Sequence, residues 1–386
     1  MSSLQSTSTA TEMDPELARQ LFHNGATFVL LDMPQGSQFG IDCSAWRTGP
    51  KFKGIKMIPP GVHFVYYSSV NNCTADVPPR IGLFFDFKAK EIVVRRWDGR
   101  NEDVLDGAVS DEDCDRIRAN LEAVDSELAP YPYETFRNWF SLAGHLSADL
   151  IGKLEPTGNG GRITAQCDLI AKESTDSNFC NVVDKDRPSR TRYSDKQGLP
   201  IMFPRPGTEI RFTSIPGRGL TSASTATERT TAGMDSTHQM EALVESAGSE
   251  TAILGEMQFA FICFVIGQVY HSFEQWKHLI AVVCSCEKAL MERPDFYEKL
   301  INVLYYQLKE IPNDFFVDIV TKNNFLVVIL SNFFSLIANT DGVSDSLRQK
   351  AQKFKVYLEK KFKWDFSSEP EEYRPAVVDI DEKGYS

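Results

Sequence analysis

The chain has 386 residues and a formal net charge of −12, with 42% apolar and 24% charged residues. This is the balance of a globular protein of two or three domains that can bury a real core. The acidic excess repels phosphate backbones and argues against direct nucleic-acid binding as the main activity. The 26 Phe residues point to extensive cores or contact surfaces, because each large ring buries much area. Eight Cys are scattered without a CxxC pair, which reads as free thiols in a reducing compartment.

Residues 1–12 are Ser/Thr-rich and lack the basic start and apolar run of a signal peptide. They read as a disordered leader. No apolar run approaches the length needed to cross a bilayer, so a soluble, intracellular protein is expected. Asp14-Pro15-Glu16 carries a capping acid, Pro at the first helical position and an acid in the first turn, which starts a short helix. From Thr27 the period changes to two. Alternation over Val62–Tyr67 and Ile81–Lys88, with Ile92–Trp97 as a hairpin return, predicts antiparallel sheets in a small sandwich or barrel over residues 25–100. Ile117, Leu121, Val124 and Leu128 form one helical stripe over 111–129, and a second helical stretch runs from Tyr133 to Leu154.

Residues 155–237 change character, with clustered Gly and few large apolar groups. This segment reads as a flexible loop or linker with one short strand near 208–213. From 238 to 363 every segment reads as helix. Ile253–Ile266 is apolar nearly all round and is expected to be central, and Val343, Leu347, Ala351, Phe354, Leu358 and Phe362 form a clean amphipathic stripe. Residues 364–386 are an acidic tail, with seven acids against Arg374 and Lys383. Within it Val377, Val378 and Ile380 are β-prone and suited to strand addition on a partner. The alternative is a solvated tail without function. Trp364 and Phe366 are expected to be exposed anchors beside it. The fold class read from the pattern is α+β, a β-rich N-terminal domain over 13–154 followed by an all-α C-terminal domain.

Chemistry-bearing motifs are sparse. The sequence holds no phosphate loop, dinucleotide fingerprint, kinase set or nucleophile elbow, so no cofactor and no catalytic residue is assigned. His271, Glu274 and His278 share a helix face close to Cys284 and Cys286, but a metal reading is weaker than ordinary helix-surface residues. His63 with Cys43 would make a dyad only if the fold joined them. Lys51, Lys53 and Lys56 form a small basic cluster that reads as a solvated strand face. Ser189, Thr191 and Ser194 lie among Arg residues and are candidate phosphorylation sites.

Several segments in order resemble the Aar-two splicing factor family. They are Met13–Ala18, Gly49–Phe64 (GPKFKGIKMIPPGVHF), Gly255–Phe261 with Tyr270, Phe273, Trp276 and Lys277, Ile311–Asp318, and Lys361–Phe366. The resemblance spans about residues 13–370. It implies a β-sandwich-like N-terminal domain and a C-terminal helical domain similar to the VHS fold. It also implies a non-enzymatic assembly factor for the U-five small nuclear ribonucleoprotein, found in cytoplasm and nucleus. Its implied partner is Prp-eight, bound through the RNase-H-like and Jab/MPN domains before the Brr-two helicase takes its place. The family's tail is implied to add a strand in that complex. The runner-up reading is a VHS-like trafficking adaptor.

Overall fold

The computed structural model describes residues 15–69, 79–107, 109–169, 202–215, 235–312 and 325–366. The leader, the hydroxyls Ser189, Thr191 and Ser194, and the tail residues Val377, Val378 and Ile380 lie outside them. Among the described residues no helix is long and apolar enough to cross a membrane.

Helix α1 (Pro15–Asn24) opens the chain. Eight strands follow: β1 (Ala26–Leu31), β2 (Gln38–Ile41), β3 (Ser44–Arg47), β4 (Gly54–Ile58), β5 (Gly61–Ser68), β6 (Ile81–Phe87), β7 (Ile92–Asp98) and β8 (Asp103–Leu105). With the two-residue strands β9 (Ala129–Pro130) and β10 (Ile163–Thr164), they build two five-stranded sheets. The first has the order β8-β7-β1-β4-β9 and the second β10-β6-β5-β2-β3. Phe28, Leu30, Ile55 and Trp97 from the first sheet meet Phe39, Ile41, Tyr67 and Phe87 from the second in one buried core. Alternation along each strand sends every second side chain into this layer.

The first sheet is mixed rather than antiparallel. β1 pairs in parallel with β7, Thr27 opposite Ile92 and Leu31 opposite Arg96, and β4 pairs in parallel with β9. The hairpin expected between 81 and 97 is therefore not formed. At the turn the backbone of Thr27 donates to Glu91 O at 2.8 Å and that of Lys90 to Asn24 O at 3.3 Å. These bonds capture the chain at the start of β1 and carry it from the second sheet into the first.

The outer face of the first sheet is covered by Ile117, Leu121 and Val124, packed on Val29 and Val94. These residues do not lie on one helix. α2 (Asp111–Ala119), capped by Ser110, ends at Asn120 and a 3-10 turn over Leu121–Glu127 takes over. The second helical stretch also divides, into α3 (Tyr133–Ala143) and α4 (Ala148–Leu154), with Ser147 capping the latter.

Residues 155–169, expected to belong to a flexible loop, form β10 and β11 (Cys167–Leu169), the latter paired with β12 (Met202–Pro204). The strand expected near 208–213 is absent. There Arg211 N donates to Leu154 O at 2.8 Å, and its guanidinium reaches Glu155 O and Gly152 O at 2.8 and 2.5 Å. Single anchors of this kind fix a segment without a ladder.

The helical part comprises α5 (Thr237–Ala247), α6 (Glu250–Val265), α7 (Tyr270–Val283), α8 (Glu287–Glu292), α9 (Pro294–Glu310), α10 (Phe325–Asn339) and α11 (Asp345–Phe362). As its composition predicts, α6 is buried, with Ile253, Leu254, Met257, Phe259 and Phe261 at 2% exposure or less. The amphipathic stripe of α11 is likewise buried at Leu347, Ala351, Phe354 and Leu358.

The chain divides into two compact units. The first takes the residues up to Phe212 together with Phe259–Phe273, and the second takes Thr213–Gln258 with the residues from Glu274 onward. The helical segment in the first unit has a clear role. Phe259 stacks on Phe84 at 4.8 Å, Phe84 packs on Phe64 at 4.6 Å, and Arg80 donates to Ile266 O at 2.8 Å. These contacts cover the outer face of the second sheet. Gly82 makes room for them, since a Cβ there would lie 2.1 Å from the Phe64 ring.

Candidate functional site

His63 sits on β5 and is 1% exposed. Its Nδ1 lies 2.6 Å from Asp42 Oδ2 and its Nε2 lies 2.8 Å from Pro59 O. A carbonyl only accepts, so Nε2 carries a proton. Asp42 occupies the two-residue turn between β2 and β3 with a left-handed φ of 54°, a conformation Asp tolerates better than most residues. Its second oxygen accepts from Phe64 N at 2.9 Å, and Tyr131 OH donates to Oδ2 at 2.6 Å. The His63 ring lies 6.2 Å from the Trp139 ring at 19°, and Trp139 Nε1 donates to Val62 O at 2.8 Å. Burial pushes the Asp42 carboxyl above its ordinary range, opposed chiefly by the bond to His63. The Tyr131 hydroxyl is also pushed up, by burial and then by the Asp42 charge.

This arrangement is a closed polar knot. Both ring nitrogens of His63 are engaged, so neither is left to take a proton from a Cys43 thiol. The knot joins the β2–β3 turn, β5 and the segment before α3. Its members Asp42, Tyr131 and Trp139 had no motif to announce them. The one signal was an acid in a tight turn flanked by apolar strand residues.

The other chemical candidates also resolve into structural roles. Lys53 pairs with Glu127, and Lys56 pairs with Asp125 at 2.5 Å, so most of the basic cluster is neutralised across the first sheet. His271 and His278 are both exposed, and Glu274 pairs with Lys277 at 2.7 Å. Among the described residues no three His, Cys, Asp or Glu side chains are grouped to share a metal ion. Cys284 and Cys286 are buried, and burial pushes the Cys286 thiol up to about 12.

The resemblance-bearing run on α6 supplies buried polar pins. Glu256 is 2% exposed and accepts from Thr213 N, Thr213 Oγ1 and Gln275 Nε2 at 2.9, 2.5 and 2.9 Å. Trp276 Nε1 donates to Gln307 Oε1 at 2.9 Å, and Gln307 Nε2 donates to Met257 O at 3.2 Å. Buried polar groups of this kind are tolerated only when bonded.

At the end of α11 the chain reverses. Lys363 adopts a left-handed φ of 59° and its N–H bonds Glu359 O at 3.1 Å. Trp364 then stacks on Phe362 at 4.6 Å and is half-buried. Phe366 is not the exposed anchor expected. It is 7% exposed and packs edge-on against Phe334 of α10 at 5.2 Å. Beside it α10 and α11 enclose a groove of about 540 Å³, lined by Phe334, Ile337 and Ala338 on one side and Arg348, Lys353 and Lys355 on the other.

Residues 24–156 match the AAR2 N-terminal domain and residues 212–367 match the AAR2 C-terminal repeat region. The chain is 43% identical over 378 residues to the protein AAR2 homolog of Mus musculus, covering 96% of this chain and 98% of that protein. It is 42% identical over 380 residues to the homolog of Homo sapiens, covering 97% and 98%. With the homolog of Caenorhabditis elegans the identity is 41% over 366 residues, covering 92% and 98%. Two domains matched in order, a β-rich half with two sheets followed by a helical half, and relatives aligned from end to end together place the chain in the AAR2 family.

Proposed function

We propose that this protein is a non-enzymatic assembly factor in pre-mRNA splicing. It binds the RNase-H-like and Jab/MPN domains of Prp-eight in the precursor of the U-five small nuclear ribonucleoprotein, and it delays Brr-two helicase binding. It works in the cytoplasm and nucleus. The observation that carries this reading is the end-to-end match to AAR2 homologs at about 42% identity. A second support is chemical: the histidine that a hydrolytic reading would need has both ring nitrogens engaged.

In this reading the tail segment Val377, Val378 and Ile380 adds a strand to the partner. Half-buried Trp364 contributes an aromatic anchor, and Phe366 acts indirectly, its ring 6.1 Å from Trp364 and at 87° to it. Phosphate on Ser189, Thr191 or Ser194 would offset the neighbouring Arg charges and tune the contact. The test is size-exclusion binding of the full chain to the isolated RNase-H-like domain of Prp-eight, with and without residues 364–386. Co-elution that weakens on truncation supports the reading. No co-elution at micromolar concentration with a folded partner overturns it, and binding to sorting tails or ubiquitin becomes the next assay.

A further inference from the structure

The groove between α10 and α11 has an apolar floor, a cationic wall and a chain end delivered to one of its ends. Phe334 begins the floor, and Phe366 rests on that same ring. Ile337 and Ala338 continue it away from Phe366. On the wall, Arg348 is engaged with Ala338 O and Thr340 O at 2.6 and 2.7 Å, so its charge serves the end of α10. Lys353 and Lys355 remain, and neither has an ion-pair or hydrogen-bond partner among the described residues. Two cations beside an apolar trough call for a ligand with acids and apolar side chains interleaved.

Such a ligand is covalently attached. Beyond Phe366 the chain continues for 20 residues, with Glu369, Glu371, Glu372, Asp379, Asp381 and Glu382 against two bases. Extended, it reaches about 66 Å, whereas α11 rises about 27 Å over its length. Reach therefore imposes no limit. Attachment at the groove mouth makes the effective concentration high, in the millimolar range for short flexible tethers, so even weak pairing is populated.

We infer that in the free protein residues 367–386 fold back into the α10–α11 groove, pairing tail acids with Lys353 and Lys355. The segment bearing Val377, Val378 and Ile380 is then withheld until a partner strand edge competes for it. Only this consequence rests on the proposed splicing role; docking of the tail concerns the chain alone.

The test is zero-length carbodiimide crosslinking of the full chain at low concentration, read by mass spectrometry, with an equal mixture of ¹⁴N and ¹⁵N protein. Cleavage after Glu372 by a glutamate-specific protease is timed in parallel. The expected result is same-isotope links from Lys353 or Lys355 to tail acids. In the Lys353→Glu/Lys355→Glu variant, where the cationic wall is reversed, cleavage after Glu372 becomes several-fold faster. Both lysines point into the groove from the surface of α11, and circular dichroism of the variant checks that the fold is kept. Tail links spread evenly over other lysines, mixed-isotope links that assign the groove to a second copy, or an unchanged cleavage rate would overturn the inference. No partner is present, so failure here leaves the splicing reading untouched.

Discussion

Asp42 and His63 are 21 residues apart in sequence and bonded at 2.6 Å in a place water does not reach, with side chains 0% and 2% exposed. Replacing one partner strands the other. His63→Ala leaves a buried carboxylate with less compensation and opens a space beside Trp139, so a loss of about 3–5 kcal/mol is expected in urea unfolding. Asp42→Asn keeps the shape and the acceptor for Phe64 N, and its cost is smaller. Loss of less than about 1 kcal/mol for His63→Ala would mean that the knot is not a stability element.

The same carboxyl predicts a pH dependence. Burial raises its folded pKa above the ordinary 3.8. The folded chain then holds this proton more tightly than the unfolded chain does. The contribution is present in full below the unfolded value and is lost as pH rises through the folded one. Asp42→Asn removes this slope. Melting temperature followed from pH 4 upward should therefore fall less steeply, or rise more steeply, in the variant than in the parent chain.

Gly82 and Phe64 form a second testable pair. A Cβ at position 82 meets the Phe64 ring at 2.1 Å. Gly82→Ala is expected to cost about 1–3 kcal/mol through overpacking. Phe64→Leu in the same chain should cost less than the sum of the two single changes, as a double-mutant cycle reads directly. Strict additivity would show that the glycine is kept for another reason.

Gln307 bridges Trp276 and Met257 in the second unit. Gln307→Leu keeps volume but takes the Oε1 acceptor from the buried Trp276 indole N–H and one donor from Met257 O, which stays bonded within its helix. Loss of the indole bond costs about 1–3 kcal/mol. Calorimetry should show a fall in the melting temperature, and Gln307→Glu, which keeps an acceptor for the indole, tests whether the indole bond or the Met257 bond dominates.

Thiol chemistry separates the cysteines. Cys263, Cys284 and Cys286 are buried and their thiols are pushed up by burial, whereas Cys43 and Cys114 are half-buried. Reagents attack the thiolate. In native protein, iodoacetamide should label the three buried sites roughly a hundred-fold more slowly than Cys114, the factor for an opening free energy of about 3 kcal/mol. Equal rates would mean that the helical part opens easily.

Local pattern was readable wherever one face decides it. The stripe through Leu347, Ala351, Phe354 and Leu358 is buried as spaced, and the all-round apolar α6 is buried on every side. What stayed hidden depends on distant partners. Ile92–Trp97 alternates equally well for either sheet, and only the bonds at Glu91 and Lys90 assign it to β1. Phe366 looked exposed because it lies beside the acidic tail, after the large apolar side chains assigned to cores. The left-handed Lys363 turns it inward, and nothing in its neighbours' polarity signals that turn. Of the site, His63 was visible as a titratable group in a strand, but its partner Asp42 looked like any acid in a turn.

The N-terminal half, taken as a continuous piece of chain, is not a finished object. Phe84 and Phe64 wait for Phe259, which is made 175 residues after Phe84. Expressing residues 1–212 alone would present this aromatic shelf to water and invite clumping. During synthesis the shelf stays bare until the chain has grown past Phe273, a long interval in which a holdase has something greasy to hold. Cutting the gene between its two family regions would thus separate a surface from its own lid.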